Sequence, residues 1–207
     1  MTQLLTVNTE NPQPRSLARA GELLRDGAVI AFPTDSCYAL GCHLGDKEAL
    51  DRLRLIREID ERHHLTLMCR DLSDIAKYAR VDNSQYRLLK AVTPGSYVFI
   101  LEATKELPRR VMHPKRKTIG LRVPDHPVAR ALLSELGEPL LTSTLLLPGE
   151  DEPLTEGWQI QEALEGRVEL VLDGGHCGTE PTTVIDLTDA VPVLVRAGRG
   201  ALSPFGF

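Results

Sequence analysis

Phe32-Pro33-Thr34-Asp35-Ser36-Cys37-Tyr38-Ala39-Leu40-Gly41 joins two apolar runs through a proline and a short polar stretch. Upstream, Ala28–Phe32 (AVIAF) reads as a buried strand, being short, wholly apolar and bounded by Gly27 and Pro33. Pro33 has no N–H to give a ladder, so the strand stops there. Tyr38–Cys42 reads as the next strand. Thr34, Asp35 and Ser36 then lie beyond the carboxyl end of a strand, where α/β sheets bind their ligands. The same side chains also suit a polar turn that bonds its own backbone, so the segment alone leaves a ligand site and a plain turn both open.

Outward from this segment, helical and strand periods alternate. Arg15–Arg25 carries Leu17, Ala20, Leu23 and Leu24 at helical spacing, with Gly27 as its stop. Asp46 caps a helix reaching about Ile56, with Leu50, Leu53 and Ile56 on one face. Leu65–Cys69 reads as a strand, followed by helices at Leu72–Tyr78 and Ser84–Val92, a turn at Thr93–Gly95 and a strand at Tyr97–Glu102. A strand at Thr118–Val123 leads to a helix at Pro127–Leu136, ended by Gly137. Pro139–Ser143 is a strand, Glu150–Gly157 a polar loop and Ile160–Leu164 a short helix. Val168–Leu172, Thr182–Asp186 and Val191–Val195 are the last strands. The pattern implies one layered α/β domain over 1–207 with a mixed sheet.

Bulk properties narrow the classes. A chain of 207 residues buries roughly 70% of its unfolded surface and needs no disulfide or metal for a core. Aromatics make up only 4%, which disfavours a stacking platform for single-stranded RNA. The N-terminus has no basic stretch followed by an apolar one, and no apolar run approaches the ~20 residues that span a bilayer. A cytoplasmic protein with no membrane partner is expected. Cys37, Cys42, Cys69 and Cys177 form no C-x-x-C pair and read as reduced and mostly buried. With His43, His63, His64 and His176 they show no zinc-site spacing, and no metal site is expected.

The Phe32–Gly41 segment resembles the P-T-D-T-x-Y-G-L-G signature of the YrdC/YciO family. Further pieces follow in the family's order: Thr93-Pro94-Gly95, Gly120-Leu121-Arg122-Val123-Pro124, Pro139-Leu140-Leu141-Thr142-Ser143-Thr144, Pro181-Thr182-Thr183-Val184-Ile185-Asp186 and Arg196-Ala197-Gly198. Each piece is weak and the ordered set is strong. L-M-C-R-D-L, K-R-K-T-I-G and P-T-T-V-I-D-L-T-D point to the YciO branch. The resemblance implies a YrdC-like fold, a twisted mixed sheet with flanking helices and a large concave cleft. It implies a reaction in which L-threonine, bicarbonate and ATP give threonylcarbamoyl-adenylate and pyrophosphate, feeding threonylcarbamoyladenosine modification of tRNA. It also implies binding of double-stranded RNA. Magnesium is expected only in company with the ATP phosphates.

By the family's pattern, Thr34, Arg122, Thr142 and Thr182 would hold threonine, with Arg122 on its carboxylate. Arg57, Thr118, Thr144 and Arg196 would hold ATP. Arginine suits these roles because its fork binds carboxylate or phosphate bidentately. Catalytic groups are not assigned, since positioning and cationic stabilisation dominate this chemistry. The chain departs from the pattern twice. Where family synthases carry K-x-R-P it reads Ile56-Arg57-Glu58-Ile59-Asp60, so Arg57 keeps a charge and Ile59 does not; Arg62, His63 or His64 are the residues that could compensate. Where they carry S-x-N it reads Thr144-Leu145-Leu146, and Leu146 has no amide.

Lys105–Arg122 (KELPRRVMHPKRKTIGLR) stands out in a chain of net charge −5. Arg109, Arg110, Lys115, Arg116 and Lys117, opposed within the segment only by Glu106, suit a phosphate-tracking rim for double-stranded RNA or tRNA. A solvated loop is the alternative. Three function classes therefore remain open: an ATP-using synthase, an RNA-binding module without efficient chemistry, and an adenylate-forming enzyme with another substrate.

Overall fold

The computed structural model describes residues 1–207. Ten strands form one mixed sheet: β1 (Gln3–Thr6), β2 (Val29–Phe32), β3 (Ala39–His43), β4 (Thr66–Met68), β5 (Tyr97–Glu102), β6 (Thr118–Arg122), β7 (Leu140–Thr144), β8 (Leu170–Asp173), β9 (Thr183–Asp186) and β10 (Val193–Arg196). Their order is β1-β8-β2-β3-β7-β4-β6-β5-β9-β10. The helices are α1 (Pro14–Arg25), α2 (Lys47–Arg57), α3 (Leu72–Tyr78), α4 (Asn83–Val92), α5 (Pro127–Leu136) and α6 (Gly157–Ala163).

Helix limits follow from local chemistry. Asp46 accepts the Ala49 N–H at 2.8 Å and starts α2. Asp82 and Gln85 form a reciprocal capping box on α4. Pro14 and Pro127 sit in first turns, where a missing N–H costs nothing. Gly137 closes α5 with φ 74°, a left-handed conformation glycine adopts without strain.

Side chains alternate across a strand, and here the alternation sorts two cores and a cavity. On β2, Val29 and Ala31 join a larger core with Leu50, Leu53 and Ile56 of α2, while Ile30 and Phe32 join a smaller one with α1 and α5. On β7, Leu141 joins the larger core and Leu140 the smaller, but Thr142 and Thr144 line a cavity. Likewise Phe99, Leu121 and Ile185 lie in the larger core, and Val98, Arg122 and Val184 line the cavity. Thus α1 and α5 cover only part of one sheet face. The uncovered part is the floor of the cavity.

The sequence-based elements recur, three of them with identical bounds and the others with shifts of up to three residues, the largest at α6, which begins at Gly157 rather than Ile160. The strand β1, paired in parallel with β8, was not expected from the sequence. No helix is long and apolar enough to cross a membrane. All four cysteines are free and buried.

Candidate functional site

Pro33 ends β2, and the next residues wrap back on themselves. Thr34 Oγ1 donates to the Cys37 carbonyl at 2.7 Å and accepts the Ser36 N–H at 3.2 Å. The turn reading of this segment is therefore correct, and it does not exclude the ligand reading. The turn presents Thr34, Asp35 and Ser36 to Arg122 at the end of β6. Arg122 Nη2 donates to Thr34 Oγ1 at 3.2 Å, to Ser36 Oγ at 3.1 Å and to Asp35 Oδ1 at 2.5 Å. Ser96 Oγ donates to the other Asp35 oxygen at 2.7 Å. Burial alone would raise the Asp35 pKa, but the Arg122 charge and the Ser96 hydroxyl outweigh it, and the carboxyl titrates below its ordinary value.

Arg122 is 5% exposed, and its Nε has no hydrogen-bond partner. An unpaired buried donor costs about 1–3 kcal/mol, more on a charged group. Nη2 of the guanidinium is thus held by protein, while the buried Nε has no acceptor from the chain.

The cavity measures about 580 Å³, within the range of small-molecule sites. Arg122, Thr142, Thr182, Arg57, Thr144 and Arg196 all line it. Thr34 touches it through Arg122, and Thr118 through His64, whose Nε2 lies 3.1 Å from Thr118 Oγ1. The eight small-molecule positions singled out in the sequence thus come together from three strands (β6, β7 and β10), two connecting segments and the end of one helix. Arg57 Nε donates to Ser143 Oγ at 3.2 Å. Arg196 donates to the Thr182 carbonyl at 2.9 and 3.1 Å and to Thr182 Oγ1 at 3.1 Å. Partial burial lowers the pKa of both arginines, yet each stays a cation.

A register irregularity in β10 between Leu194 and Arg196 places both Val195 and Arg196 on the cavity. Gly198 makes this approach possible. A Cβ there would lie 2.3 Å from the Pro181 carbonyl oxygen and 2.7 Å from Thr182 backbone atoms.

The two departures have different fates. Ile59 packs against the larger core and leaves the cavity. Leu146 lines the cavity and gives it an apolar surface. Arg62, His63 and His64, the residues able to compensate, all line it as well. Burial holds both imidazoles below their ordinary pKa, with nearby cations adding to the effect.

None of Arg109, Arg110, Lys115, Arg116 and Lys117 lines the cavity. All five are exposed, but they are not a free row of cations. Arg116 pairs with Asp186 at 2.6 Å and donates to Thr188, and Arg110 donates to the Gly45 carbonyl. The counter-charge of Asp186 comes from β9, so Glu106 is not the only acid opposing the segment. His113 connects the segment to the cavity by stacking on His64, ring centroids 4.8 Å apart.

Sequence reasoning gave no site role to Ser96 and Ser143, whereas Asp35 and Ser36 stood in the quoted segment, for which a ligand site and a plain turn were both open. Ser96 and Ser143 become partners only through strand pairing.

A family model for the Sua5/YciO/YrdC domain, described as "Telomere recombination", matches residues 22–198. The chain belongs to this family. It is 51% identical to YciO of Escherichia coli K12, over 99% of this chain and all of that protein. The crystal structure of E. coli YciO superposes with a TM-score of 0.96, covering 99% of this chain and 100% of that one. A threonylcarbamoyl-AMP synthase of Bacillus subtilis is 29% identical over 93% of this chain, which spans 55% of that protein's length. The crystal structure of Pyrococcus abyssi Sua5 complexed with L-threonine superposes with a TM-score of 0.87 at 26% identity, over 95% of this chain and 58% of that one. The fold expectation is met: a YrdC-like mixed sheet with flanking helices and an open face.

Proposed function

We propose that the cavity binds L-threonine and ATP and carries synthase-type chemistry, joining threonine, bicarbonate and ATP into threonylcarbamoyl-adenylate with release of pyrophosphate. The observation that carries this reading is Arg122, a buried cation that lines the cavity together with Thr142 and Thr182, holds Thr34 through Nη2 and leaves its Nε without a partner. A carboxylate suits such a cation, because guanidinium N–H groups form strong charge-assisted bonds to carboxylate oxygens. The family's threonine-bound Sua5 and its synthases support threonine as the source of that carboxylate.

In this reading Arg57 and Arg196 hold the phosphates, with Thr118 and Thr144 as further contacts, and magnesium enters with ATP. The threonine amine and bicarbonate first form the carbamate with loss of water; a carbamate oxygen then attacks the α-phosphorus, the bond to pyrophosphate breaks, and the arginines stabilise the charge that gathers on the leaving group. Leu146 and Ile59 remove two polar contacts, so turnover is slow. A charged hydrogen bond contributes about 1.5–3 kcal/mol, or about ten- to a hundred-fold in binding each.

The test is an assay of the purified chain with labelled ATP, L-threonine and bicarbonate, scored for pyrophosphate and the adenylate. Both products are expected, slower than from a synthase with the full K-x-R and S-x-N pattern. Arg122→Lys keeps the charge but loses the fork, and is expected to weaken threonine binding at least ten-fold. Normal threonine affinity in a folded Arg122→Lys protein overturns the assignment.

Leu146 and Ile59 also favour a second reading, an RNA-binding module that kept the cleft and lost efficient chemistry. Duplex RNA or tRNA bound by the basic segment, with no adenylate formed, is its signature. An adenylate formed from another substrate is the outcome that marks the third class.

A further inference from the structure

Ile59 leaves the chain one cation short of the K-x-R pattern, and the loop after it contributes an imidazole to the cavity lining. His63 lines the same cavity as Arg57 and Arg196. Its backbone N–H donates to the Asp60 carbonyl at 3.2 Å, which shapes the loop that carries it. The charges acting on its ring come from three elements: Arg57 at the end of α2, Arg196 on β10 and Asp60 in the loop itself. Arg62 and Asp151 also line the cavity. His64 is engaged elsewhere, bonded to Thr118 and stacked on His113, with Arg116 and Asp186 acting on it from the basic segment and β9.

We propose that His63 is a proton-coupled phosphate ligand: its neutral imidazole takes a proton from solvent as a polyphosphate binds between Arg57 and Arg196, and the imidazolium supplies the cation that Ile59 does not. The inference rests on the nucleotide reading above and adds to it how the missing charge is replaced. One proton moves from solvent to the ring, and no bond to phosphorus forms or breaks.

The field at the ring explains why the proton arrives with the ligand. Without a ligand, desolvation by the cavity wall and then the two guanidiniums disfavour imidazolium, and only Asp60 opposes them. A phosphate chain on those guanidiniums offsets their charge and presents acceptor oxygens to the ring. The pKa of His63 therefore rises on binding. The added affinity is full below the ligand-free pKa and is lost as pH rises through the bound value. A rise of one unit is about ten-fold in affinity at the acid end.

The test titrates ATP and inorganic tripolyphosphate into the full chain and into His63→Gln, between about pH 5 and 8, where histidine charge changes. Buffers of differing ionisation heat report proton uptake, and histidine NMR follows each ring. The ligand's own protonation is common to both proteins, so their difference isolates His63. The expected result is more proton uptake by the wild type, and affinity that gains about ten-fold more than the variant's as pH falls. The His63 resonance titrates about one unit higher with ligand bound. Identical pH dependence in the two proteins, or an unmoved His63 resonance, overturns the proposal; if ATP still binds, the nucleotide reading stands. Tripolyphosphate bound with His63-dependent proton uptake, but no ATP binding, supports the proposal and overturns the nucleotide reading. Binding of neither overturns both.

Discussion

Asp35 and Arg122 form the ion pair at the centre of the site, with side chains 11% and 7% exposed. Removing one partner of such a pair leaves a buried charge uncompensated, at a cost of about 3–5 kcal/mol. Asp35→Ala is therefore expected to lower stability by about that amount, read from urea midpoints at neutral pH. The pair also sets a pH dependence. The folded Asp35 pKa lies below its ordinary value, so its stabilisation is present above the unfolded pKa and is lost as pH falls through the folded one. Asp35→Asn should flatten the acid limb of a stability profile measured from about pH 5 to 2; an unchanged limb means the pair contributes nothing there. The departures separate at this scale too. Leu146→Asn adds a polar group to an open cavity wall and should raise nucleotide affinity and adenylate formation. Ile59→Arg puts a charge where an apolar side chain packs, and should lower stability without a matching gain. Equal gains from both substitutions would show that Ile59 is not held in the core. Arg122 was legible from its neighbours Gly120-Leu121 and Val123-Pro124, whereas its engagement by Asp35 was not. That contact spans 87 residues and depends on strand pairing.

The strand β10 shows how an element positions side chains that its own period would misplace. A regular strand would turn Val195 and Arg196 to opposite faces. The irregularity after Leu194 and the close approach at Gly198 bring both to the cavity. Gly198→Ala pushes a Cβ into the backbone of Pro181 and Thr182, so Arg196 and Thr182 must move together. The expected outcome is a folded protein with nucleotide and threonine affinity both reduced about ten-fold or more, measured by calorimetry. Loss of one affinity alone would show that the two residues are positioned independently. Most elements were legible because each carried its own punctuation: Asp46 before α2, Pro127 and Gly137 around α5, and apolar runs for the central strands. The strand β1 was not, because it is a short edge strand with exposed ends at Gln3 and Thr6. Its place comes from parallel pairing with β8, more than 160 residues away. The cavity floor was half legible. Thr66, Thr142 and Thr144 alternate with buried leucines, which marks a polar face, but which face lacks a covering helix depends on where α1 and α5 pack.

For the whole molecule, the net charge of −5 decides how RNA could bind, since most of the surface repels phosphate. The basic segment is the exception. Within it Arg110 and Arg116 already serve the fold, through Gly45 and through Asp186 with Thr188. Replacing them would confuse loss of binding with loss of structure. Arg109, Lys115 and Lys117 are exposed and make no side-chain ion pair. They are the residues with charge to spare for a phosphate backbone. Each phosphate neutralised on a duplex contributes roughly 0.9 to the slope of log affinity against log salt. Arg109→Ala/Lys115→Ala/Lys117→Ala should then flatten the slope by about 2.7 for duplex RNA, if each cation meets one phosphate. Two duplexes of unrelated sequence should weaken alike, because no aromatic platform reads their bases. The His64–His113 stack joins this segment to the cavity beside Thr118, so a duplex bound there would lie next to the ATP site proposed above. Saturating ATP should accordingly alter RNA affinity more than saturating threonine does, measured on the same duplex at one salt concentration. Binding that ignores salt, or that survives the triple substitution with its slope intact, would make the segment a solvated loop and leave the cavity as the molecule's only site for anions.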